Sequence, residues 1–349
     1  MSLLWMDYEE EFQNLVDAAY QCEYNANVEY FSKLPKRVQK IIYRDTRYNV
    51  DFLYTAYVLK DAMVMEKYAV WLFELMAGIM KQFTRERTAK YVIEHLEAVK
   101  QGVLQVVGED KRAELLELLS RAQECIRQAI AQDGQAAFRP SPFEAEIEEY
   151  MASLFAKNNK KTMYLVKEFL HRGISVDIIY VGILAESMRR VGELWHSSQI
   201  SVDMEHYCTS ATQLAMTQLY PEVFAAEPKG KTLLCACPGT ELHEMGARIV
   251  ADVFENNGWD SIYLGAAVPA TYMLKAVREN KPDLVALSVT MPQHLIDCAE
   301  LVKAIKKEFP EQKIAVGGRA FSSTDKIWEQ WSADFYAADA LDLLAKASD

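Results

Sequence analysis

The sequence predicts a multidomain protein of the α and α/β classes, with an all-helical N-terminal domain, a four-helix-bundle cap and a C-terminal, Rossmann-like doubly wound parallel sheet. Apolar residues recur at helical spacing through residues 1–132 and again through 143–227. Two prolines and a glycine between these stretches mark 133–142 as a linker. From 228 to 349, short apolar runs alternate with amphipathic segments, which is the order expected of parallel strands joined by helices.

The composition indicates a globular protein and argues against several functions. A chain of 349 residues that is 50% hydrophobic has room for two or three domains with their own cores. Its formal net charge of −12 argues against a nucleic-acid-binding surface over the whole molecule. We find no run of about 18 apolar residues, no recognisable signal peptide, and no disulfide or zinc spacing among the six cysteines. We therefore expect a cytoplasmic protein with reduced cysteines and no membrane association.

Residues 1–132 predict an all-helical domain whose role the sequence does not reveal. Apolar spacing predicts helices at 12–19, 52–59, 64–79, 86–107 and 111–131. A small basic cluster contains Lys33, Lys36, Arg37, Lys40, Arg44 and Arg47. Because acidic residues surround it and no base-reading helix with a flanking turn is recognisable, we interpret the cluster as a solvated helical face.

Residues 143–227 are predicted to form the cap. Apolar positions at helical spacing indicate four short helices, at about 147–155, 165–170, 178–194 and 203–224. Four short antiparallel helices pack as a bundle.

Residues 228–349 are predicted to form the parallel sheet. Strands are expected at 232–237, 260–264, 283–288 and 313–316. Helices are expected at 244–256, 270–279, 293–308 and 325–332, and Phe335-Tyr336-Ala337 is a candidate fifth strand. This alternation is typical of a doubly wound sheet.

Three of the predicted strand exits carry residues suited to a ligand site. The first strand leads into Pro238–Gly246, which places His243 on a strand-to-helix loop. The third strand ends in Ser288-Val289-Thr290, and the fourth ends in Gly317-Gly318. In an open parallel sheet such exits line one edge, and ligands bind in the crevice outside them. A lone histidine in such a loop is most simply a solvated imidazole, so the interpretation of His243 depends on the other two exits.

In order along the chain, the three exits contain Glu241-x-His243-x-x-Gly246, Ser288-x-Thr290 and Gly317-Gly318. This set resembles the fingerprint of the cobalamin-binding domain family, whose usual form is Asp-x-His-x-x-Gly, Ser-x-Leu/Thr and Gly-Gly. The 41 residues between the first and second pieces, and the 26 between the second and third, are similar to the family's spacing. Each piece alone is weak, but the ordered set is specific. Glu241 departs from the commoner aspartate by one methylene.

The resemblance implies a cobalamin cofactor with His243 as the lower axial ligand of cobalt, in place of the cofactor's own dimethylbenzimidazole. Cobalt ligation needs a neutral imidazole whose other nitrogen has a partner that fixes the tautomer, and Glu241 is placed to be that partner. The displaced nucleotide tail is then expected to enter the domain beside the sheet. The glycines leave room where the tail passes close to backbone, and the serine offers it a hydroxyl. The remaining cofactor-binding residues implied here are Gly246, Ser288, Thr290, Gly317 and Gly318.

The predicted cap carries a second motif, in which Trp195-His196 precedes Glu205-His206. Nine residues separate the tryptophan from the Glu-His pair, a pattern that resembles the adenosylcobalamin photoreceptors related to light-responsive repressors of carotenoid genes. The resemblance implies that Trp195 lies against the upper axial adenosyl group, that Glu205 hydrogen-bonds it and that His206 supports this pocket. His196 is then the residue able to reach cobalt after the adenosyl group has left. In any helical bundle, the same residues also fit a tryptophan that closes one helix and a Glu-His pair that caps the next.

The leading hypothesis is an adenosylcobalamin-dependent light sensor that has no enzymatic activity of its own. Visible light breaks the cobalt–carbon bond, so the protein needs only to select the adenosyl ligand and to respond to its loss. Residues 1–132 do not resemble the winged helix-turn-helix of the repressors, so DNA binding is not expected. We expect instead a homo-oligomer and a protein partner that binds through this domain.

A second hypothesis is a corrinoid shuttle of a methyltransferase system, whose cap opens to partner enzymes. A tryptophan and a Glu-His pair over the upper face would obstruct methyl donors, which favours the sensor. A haem sensor is disfavoured by the intact His243, Ser288 and glycine pair. A mutase is disfavoured because the chain has no barrel-sized catalytic domain.

Overall fold

The computed structural model describes residues 10–131, 138 and 140–348. The chain divides into two compact units: the first contains Met1–Gly134, Met291–Ile296 and Ser322–Ile327, and the second contains Gln135–Thr290, Asp297–Phe321 and Trp328–Asp349. Most of the predicted linker, 133–137 and 139, lies outside the described residues. Across the part of the chain that is described, no helix has both the length and the apolar character needed to cross a bilayer.

The first unit is helical, as predicted for residues 1–132. Its described helices are α1 (Glu10–Ala26), α2 (Val28–Phe31), α3 (Lys36–Leu59), α4 (Ala62–Ile79), α5 (Arg85–Val106) and α6 (Glu109–Ala129). Two N-caps explain where helices begin: Asp61 accepts a hydrogen bond from the Met63 amide, and Thr84 accepts one from the Arg87 amide. Fully buried apolar side chains from five of these helices form its core, among them Leu15, Leu53, Phe73, Leu96 and Leu119.

The helical cap is also confirmed. It consists of α7 (Glu144–Phe155), α8 (Asn159–His171), α9 (Val176–Ile178), a π-helical segment (Ile179–Ala185), α10 (Glu186–His196), α11 (Val202–Met216), a 3-10 turn (Thr217–Leu219) and α12 (Tyr220–Val223). The third helix of the bundle is thus one continuous helix over 176–196 with a π-helical centre, a form that the apolar spacing did not predict. Such segments are rare in helices and are frequent at functional sites.

The parallel sheet has five strands in the order β2-β1-β3-β4-β5. The strands are β1 (Thr232–Ala236), β2 (Asp260–Tyr263), β3 (Leu284–Ser288), β4 (Lys313–Gly317) and β5 (Phe335–Ala337), which confirms the candidate fifth strand. The helices between and after them are α13 (Met245–Asn256), α14 (Ala270–Asn280), α15 (Leu295–Glu308) and α16 (Ala340–Ser348).

The predicted final helix over 325–332 was wrong. The stretch forms short 3-10 turns at Arg319–Ser323 and Ile327–Gln330, and the last helix is α16. Lys326 and Ser332 have positive φ angles of 49° and 60°, which interrupt an α-helical path at both ends of the stretch.

One apolar core joins the cap to the sheet domain in the second unit. Buried cap residues such as Tyr150, Phe169 and Ile183 belong to the same cluster as Ile249 and Val253 of α13. On the sheet side, α13 and α16 pack against each other and against the strands. The described cysteines are free, and four of the six are buried.

Candidate functional site

The loop after β1 places a buried carboxylate directly beneath an exposed imidazole. Glu241 is fully buried, whereas the His243 side chain is 55% exposed. Glu241 Oε1 accepts a hydrogen bond from the His243 backbone amide (2.9 Å) and lies 2.6 Å from the His243 ring nitrogen Nδ1. Its other oxygen, Oε2, accepts a hydrogen bond from the Thr290 backbone amide at 2.8 Å. A single carboxylate therefore fixes the histidine and also ties the first strand exit to the exit of β3.

This contact defines which ring nitrogen of His243 is available to a ligand. Because Nδ1 faces a carboxylate, we assign the ring proton to Nδ1, which leaves Nε2 as the free electron-pair donor. The hydrogen bond to Glu241 raises the pKa of His243 against the opposing effect of burial, and the negative charges of Glu241 and Glu205 raise it further. The helix that carries Glu205 also reaches this loop, because Gln213 of that helix (Val202–Met216) donates a hydrogen bond to Glu244 Oε1 at 3.4 Å.

A cavity of about 170 Å³ lies beside the sheet behind this loop. The ends of β3 and β4 contribute Ser288, Gly317 and Gly318 to its wall, and Gly246 contributes from the first turn of α13. Two further wall residues, Val181 and Ala185, belong to the π-helical segment of the cap. The cavity therefore has walls from both the cap and the sheet domain.

The fold requires glycine at two of the three predicted positions and tolerates a larger residue at the third. A Cβ on Gly317 would lie 2.8 Å from the Ala337 carbonyl oxygen, and one on Gly318 would lie 2.3 Å from the Val289 carbonyl oxygen. Gly318 also has a φ of +103°. The protein's own backbone thus demands glycine at both positions. A Cβ on Gly246 would meet only the Ser288 hydroxyl oxygen at 3.5 Å, an ordinary contact, so the fold itself leaves room for a larger residue there.

The cap residues of the second motif lie at two consecutive helix ends. Trp195 and His196 are the last two residues of α10, and Glu205 and His206 lie in the first turn of α11. The Glu205 carboxylate contacts its neighbours through both oxygens: Oε2 lies 2.7 Å from His206 Nδ1, and Oε1 accepts a hydrogen bond from the Thr209 hydroxyl at 3.1 Å. The His206 side chain is 74% exposed. The structure thus brings Glu205 and His206 together.

Sequence reasoning missed a polar seam between the cap and α13, which comprises Tyr180, Tyr220, Arg248 and Asp252. The buried Tyr180 hydroxyl donates to Asp252 Oδ2 at 2.9 Å, and Arg248 pairs with Asp252 Oδ1 at 3.1 Å. Arg248 also donates to the Tyr220 hydroxyl and lies over the Tyr220 ring. Burial raises the pKa of Asp252 although Arg248 opposes this effect. The i, i+4 spacing of Arg248 and Asp252 was the visible signal, but the cap tyrosines are too distant in sequence to predict.

The site fits a corrinoid with a displaced base. It has a histidine with one free nitrogen at the ligand edge of a parallel sheet, a buried carboxylate that orients it, and an apolar cavity behind it that can take a nucleotide tail. The fold and the site together define the class of cobalamin-binding proteins.

Comparison with known families gives the same answer. Residues 231–345 match the family described as B12 binding domain, and residues 146–220 match a second family with the same description. The cap and the sheet domain of this chain therefore each contain a region that matches a B12 binding domain family. Neither match includes residues before 146.

The individual relatives include corrinoid proteins and a transcriptional repressor. The chain is 26% identical over 190 residues to trimethylamine corrinoid protein 1 of Methanosarcina acetivorans, covering 52% of this chain and 86% of the relative. It is 24% identical over 193 residues to the HTH-type transcriptional repressor CarA of Myxococcus xanthus, covering 55% of this chain and 65% of the repressor. The structure of the Methanosarcina barkeri monomethylamine corrinoid protein superposes with a TM-score of 0.52 at 22% identity, over 59% of this chain and 96% of that protein, and so shares the fold.

Proposed function

We propose that this cobalamin-binding protein is an adenosylcobalamin-dependent light sensor with a base-off, histidine-ligated cofactor. The observation that carries the proposal is the cap motif beside the His243 loop: Glu205 and His206 form a pair in α11, and Gln213 of the same helix donates a hydrogen bond to Glu244 Oε1, next to His243, at 3.4 Å. A cap carboxylate on this helix would be suited to hydrogen-bond the adenosyl group. When bound, adenosylcobalamin supplies a cobalt–carbon bond that visible light breaks.

The residues divide into holding and responding groups. His243 would hold cobalt through Nε2 and is oriented by Glu241, while the cavity that contains Gly246 and Ser288 would take the nucleotide tail. Trp195, Glu205 and His206 would select the adenosyl group. His196, at the end of α10, would be the second imidazole for cobalt when the adenosyl group is absent, and the cap helices would respond to that difference.

The output of the sensor is assigned to the helical first unit and to self-association. The described residues 10–131 are mainly helical, the sequence of residues 1–132 does not resemble the winged helix-turn-helix, and the net charge is −12, so a protein partner is the expected target rather than DNA. The relative CarA is named as an HTH-type transcriptional repressor, and we do not extend that role to this chain.

The second candidate function is a corrinoid shuttle of a methyltransferase system. It is favoured by the similarity to the trimethylamine corrinoid protein, of which the match covers 86%. In a shuttle the cap would move aside for a partner enzyme, and no residue above cobalt would need to select adenosyl. The two functions therefore differ in what Trp195 and Glu205 do.

The test is an absorption spectrum of the purified full chain loaded with adenosylcobalamin in the dark, recorded before and after green light, with size-exclusion elution of each state. We expect a base-off, histidine-ligated spectrum that changes on illumination together with the elution volume. His243→Ala should lose the histidine ligation in the dark, and His196→Ala should alter only the illuminated state. His171→Ala, at an exposed position in the same cap, is the matched control.

The opposite outcome is equally specific. A protein that prefers methylcobalamin or reduced cobalamin, and whose ligation and assembly state do not respond to light, contradicts the sensor and supports the shuttle.

A further inference from the structure

The tail cavity offers few polar side-chain atoms. Eighteen residues line it, and their polar side chains are limited to Cys235, Ser288 and Asp339. The rest of the wall is made of glycine, alanine and aliphatic residues. The chemistry of this wall, and not only its volume, determines what the cavity can bind.

Two of these three side chains already have partners in the protein. The Cys235 thiol donates a hydrogen bond to the Ala247 carbonyl oxygen at 3.3 Å. Asp339 Oδ1 accepts hydrogen bonds from the amides of Leu341 and Asp342, both at 2.9 Å, at the start of α16. Of the three, Ser288 is therefore the side chain best able to meet a polar atom of a ligand in the cavity.

The backbone of the wall is also largely engaged. Ala286, Leu287 and Ser288 of β3 pair in register with Ala315, Val316 and Gly317 of β4, so these peptide groups bond to one another within the sheet. Val289 continues the ladder by donating to the Gly317 carbonyl oxygen at 2.9 Å. A polar ring placed against this wall would lose its water without gaining matching partners.

We infer that this cavity selects among corrinoids by their lower base, accepting an apolar benzimidazole and discriminating against a purine such as adenine. The inference rests on the base-off binding mode in the proposed function, because only a displaced base enters the cavity. An apolar cavity of about 150 Å³ holds one benzene ring, so about 170 Å³ suits a single flat aromatic group.

The discrimination follows from counting polar atoms. Adenine carries several ring nitrogens and an amino group that bond to water outside the protein, whereas dimethylbenzimidazole keeps only its two imidazole nitrogens and has carbon atoms and methyl groups on its six-membered ring. The Ser288 hydroxyl and the second carboxylate oxygen of Asp339 can serve only some of the polar groups of adenine, and each remaining one loses its water without gaining a partner. We expect adenine-type corrinoids to bind at least tenfold more weakly, which corresponds to about 1.4 kcal/mol.

The experiment is a titration of the full chain with four corrinoids in the dark. Binding is measured from the change in absorption that accompanies histidine ligation. The four are cobalamin, the analogue with unsubstituted benzimidazole, the analogue with adenine, and cobinamide, which lacks a base. The two benzimidazole forms should bind with similar affinity, and the adenine form should bind at least tenfold more weakly. Equal affinities of the adenine form and cobalamin overturn the inference while leaving the proposed binding mode intact.

A variant separates wall chemistry from cavity size. Val250 lines the cavity from α13, and Val250→Thr replaces a methyl group by a hydroxyl with almost the same shape. It should reduce the penalty on the adenine form several-fold and leave cobinamide affinity unchanged, with an unaltered melting curve as the check on folding. An unchanged adenine penalty in a folded variant contradicts selection by wall polarity. If no corrinoid gives histidine ligation, the proposed function fails and the inference fails with it.

Discussion

Glu241 is the residue on which the ligand edge depends most. Its buried carboxylate accepts hydrogen bonds from the His243 backbone amide, the His243 ring and the Thr290 backbone amide. The longer side chain, compared with the usual aspartate, places one oxygen on each side of the gap between two strand exits. The residue therefore orients the histidine and also holds the loop after β3.

We predict that Glu241→Gln lowers corrinoid affinity by about 10- to 100-fold, the usual effect of losing a partner behind a metal-bound histidine. The amide has only one acceptor oxygen, so the ring of His243 or the amide of Thr290 loses its partner. A buried donor left in this way also costs about 1–3 kcal/mol of stability. Corrinoid titration and urea unfolding measure the two effects. Glu241→Asp is the comparison that keeps the charge and both oxygens on a shorter side chain, so it should bind better than the glutamine variant. A glutamine variant that binds like the parent would refute the orienting role.

The glycines offer a second test at this scale, because the fold requires Gly318 but not Gly246. Gly318→Ala should destabilise the protein by about 1–3 kcal/mol through its positive φ and its close approach to Val289. Gly246→Ala should leave stability unchanged or slightly raised, since alanine favours the helix, yet it places a methyl group in the cavity wall. Thermal melts paired with corrinoid titration check both. Tight binding by Gly246→Ala would mean that the tail does not pass this wall.

Among the elements, the helix over 176–196 connects the most parts of the site. Its π-helical segment lines the tail cavity through Val181 and Ala185, and its last two residues are Trp195 and His196. Tyr180 anchors the same segment to Asp252 of α13. One continuous helix therefore joins the cavity wall to Trp195 and His196, and in the proposed sensor it would be the element that responds.

Near its middle this helix is held to the start of α7 by Arg190. The Arg190 side chain is only 3% exposed and donates to Glu144 Oε2 at 2.8 Å and to Glu186 Oε1 at 2.9 Å. Its guanidinium also lies over the ring of Phe138, in the predicted linker. The hydrogen bond from Arg190 lowers the pKa of Glu144 from 4.5 to about 2. Arg190 thus joins the cap helix to the segment that enters the cap.

This ion pair predicts a pH-dependent stability. A carboxyl group with a depressed pKa in the folded state stabilises it fully above the unfolded value near 4.5, and this contribution is lost as the pH falls towards 2. Glu144→Gln should therefore be less stable than the parent at pH 7, and the difference should shrink below about pH 4.5. Urea unfolding of both proteins between pH 7 and pH 3.5 measures it. A constant difference across this range would show that the charge of Glu144 contributes nothing.

For the whole molecule, the two units are not continuous stretches of the chain. The first unit includes two segments from the sheet domain's sequence, Met291–Ile296 and Ser322–Ile327. Within this unit, Gln293 and His294 are buried, and the Asp325 amide donates to Asp61 Oδ2 at 2.7 Å. The first of these segments begins directly after Thr290, whose amide Glu241 holds. Residues 1–134 alone therefore lack part of their unit.

We predict that a fragment of residues 1–134 melts several degrees below the corresponding transition of the full chain, because about 1 kcal/mol shifts the melting temperature of a domain of this size by about 4 °C. Circular dichroism measures the melting of the fragment, and hydrogen exchange of α4 measures the stability of the same region in the full chain. Asp61→Asn sharpens the test: the amide keeps one oxygen for the Met63 cap and loses the bond to Asp325. The substitution should lower the stability of the full chain and not that of the fragment. Equal effects in both would argue that the two segments add no stability.

The sequence by itself determined the helical first domain, the cap, the alternating sheet and the His243 loop, because these depend on local periodicity and on short motifs at strand exits. The tertiary structure alone decided that Glu241 also holds Thr290, 49 positions away, and that a π-helical segment of the cap completes the tail cavity. It likewise decided that segments 291–296 and 322–327 belong to the first unit, where the pattern predicted helix over 325–332. Each of these depends on contacts between residues far apart in the chain, for which local propensity carries no signal.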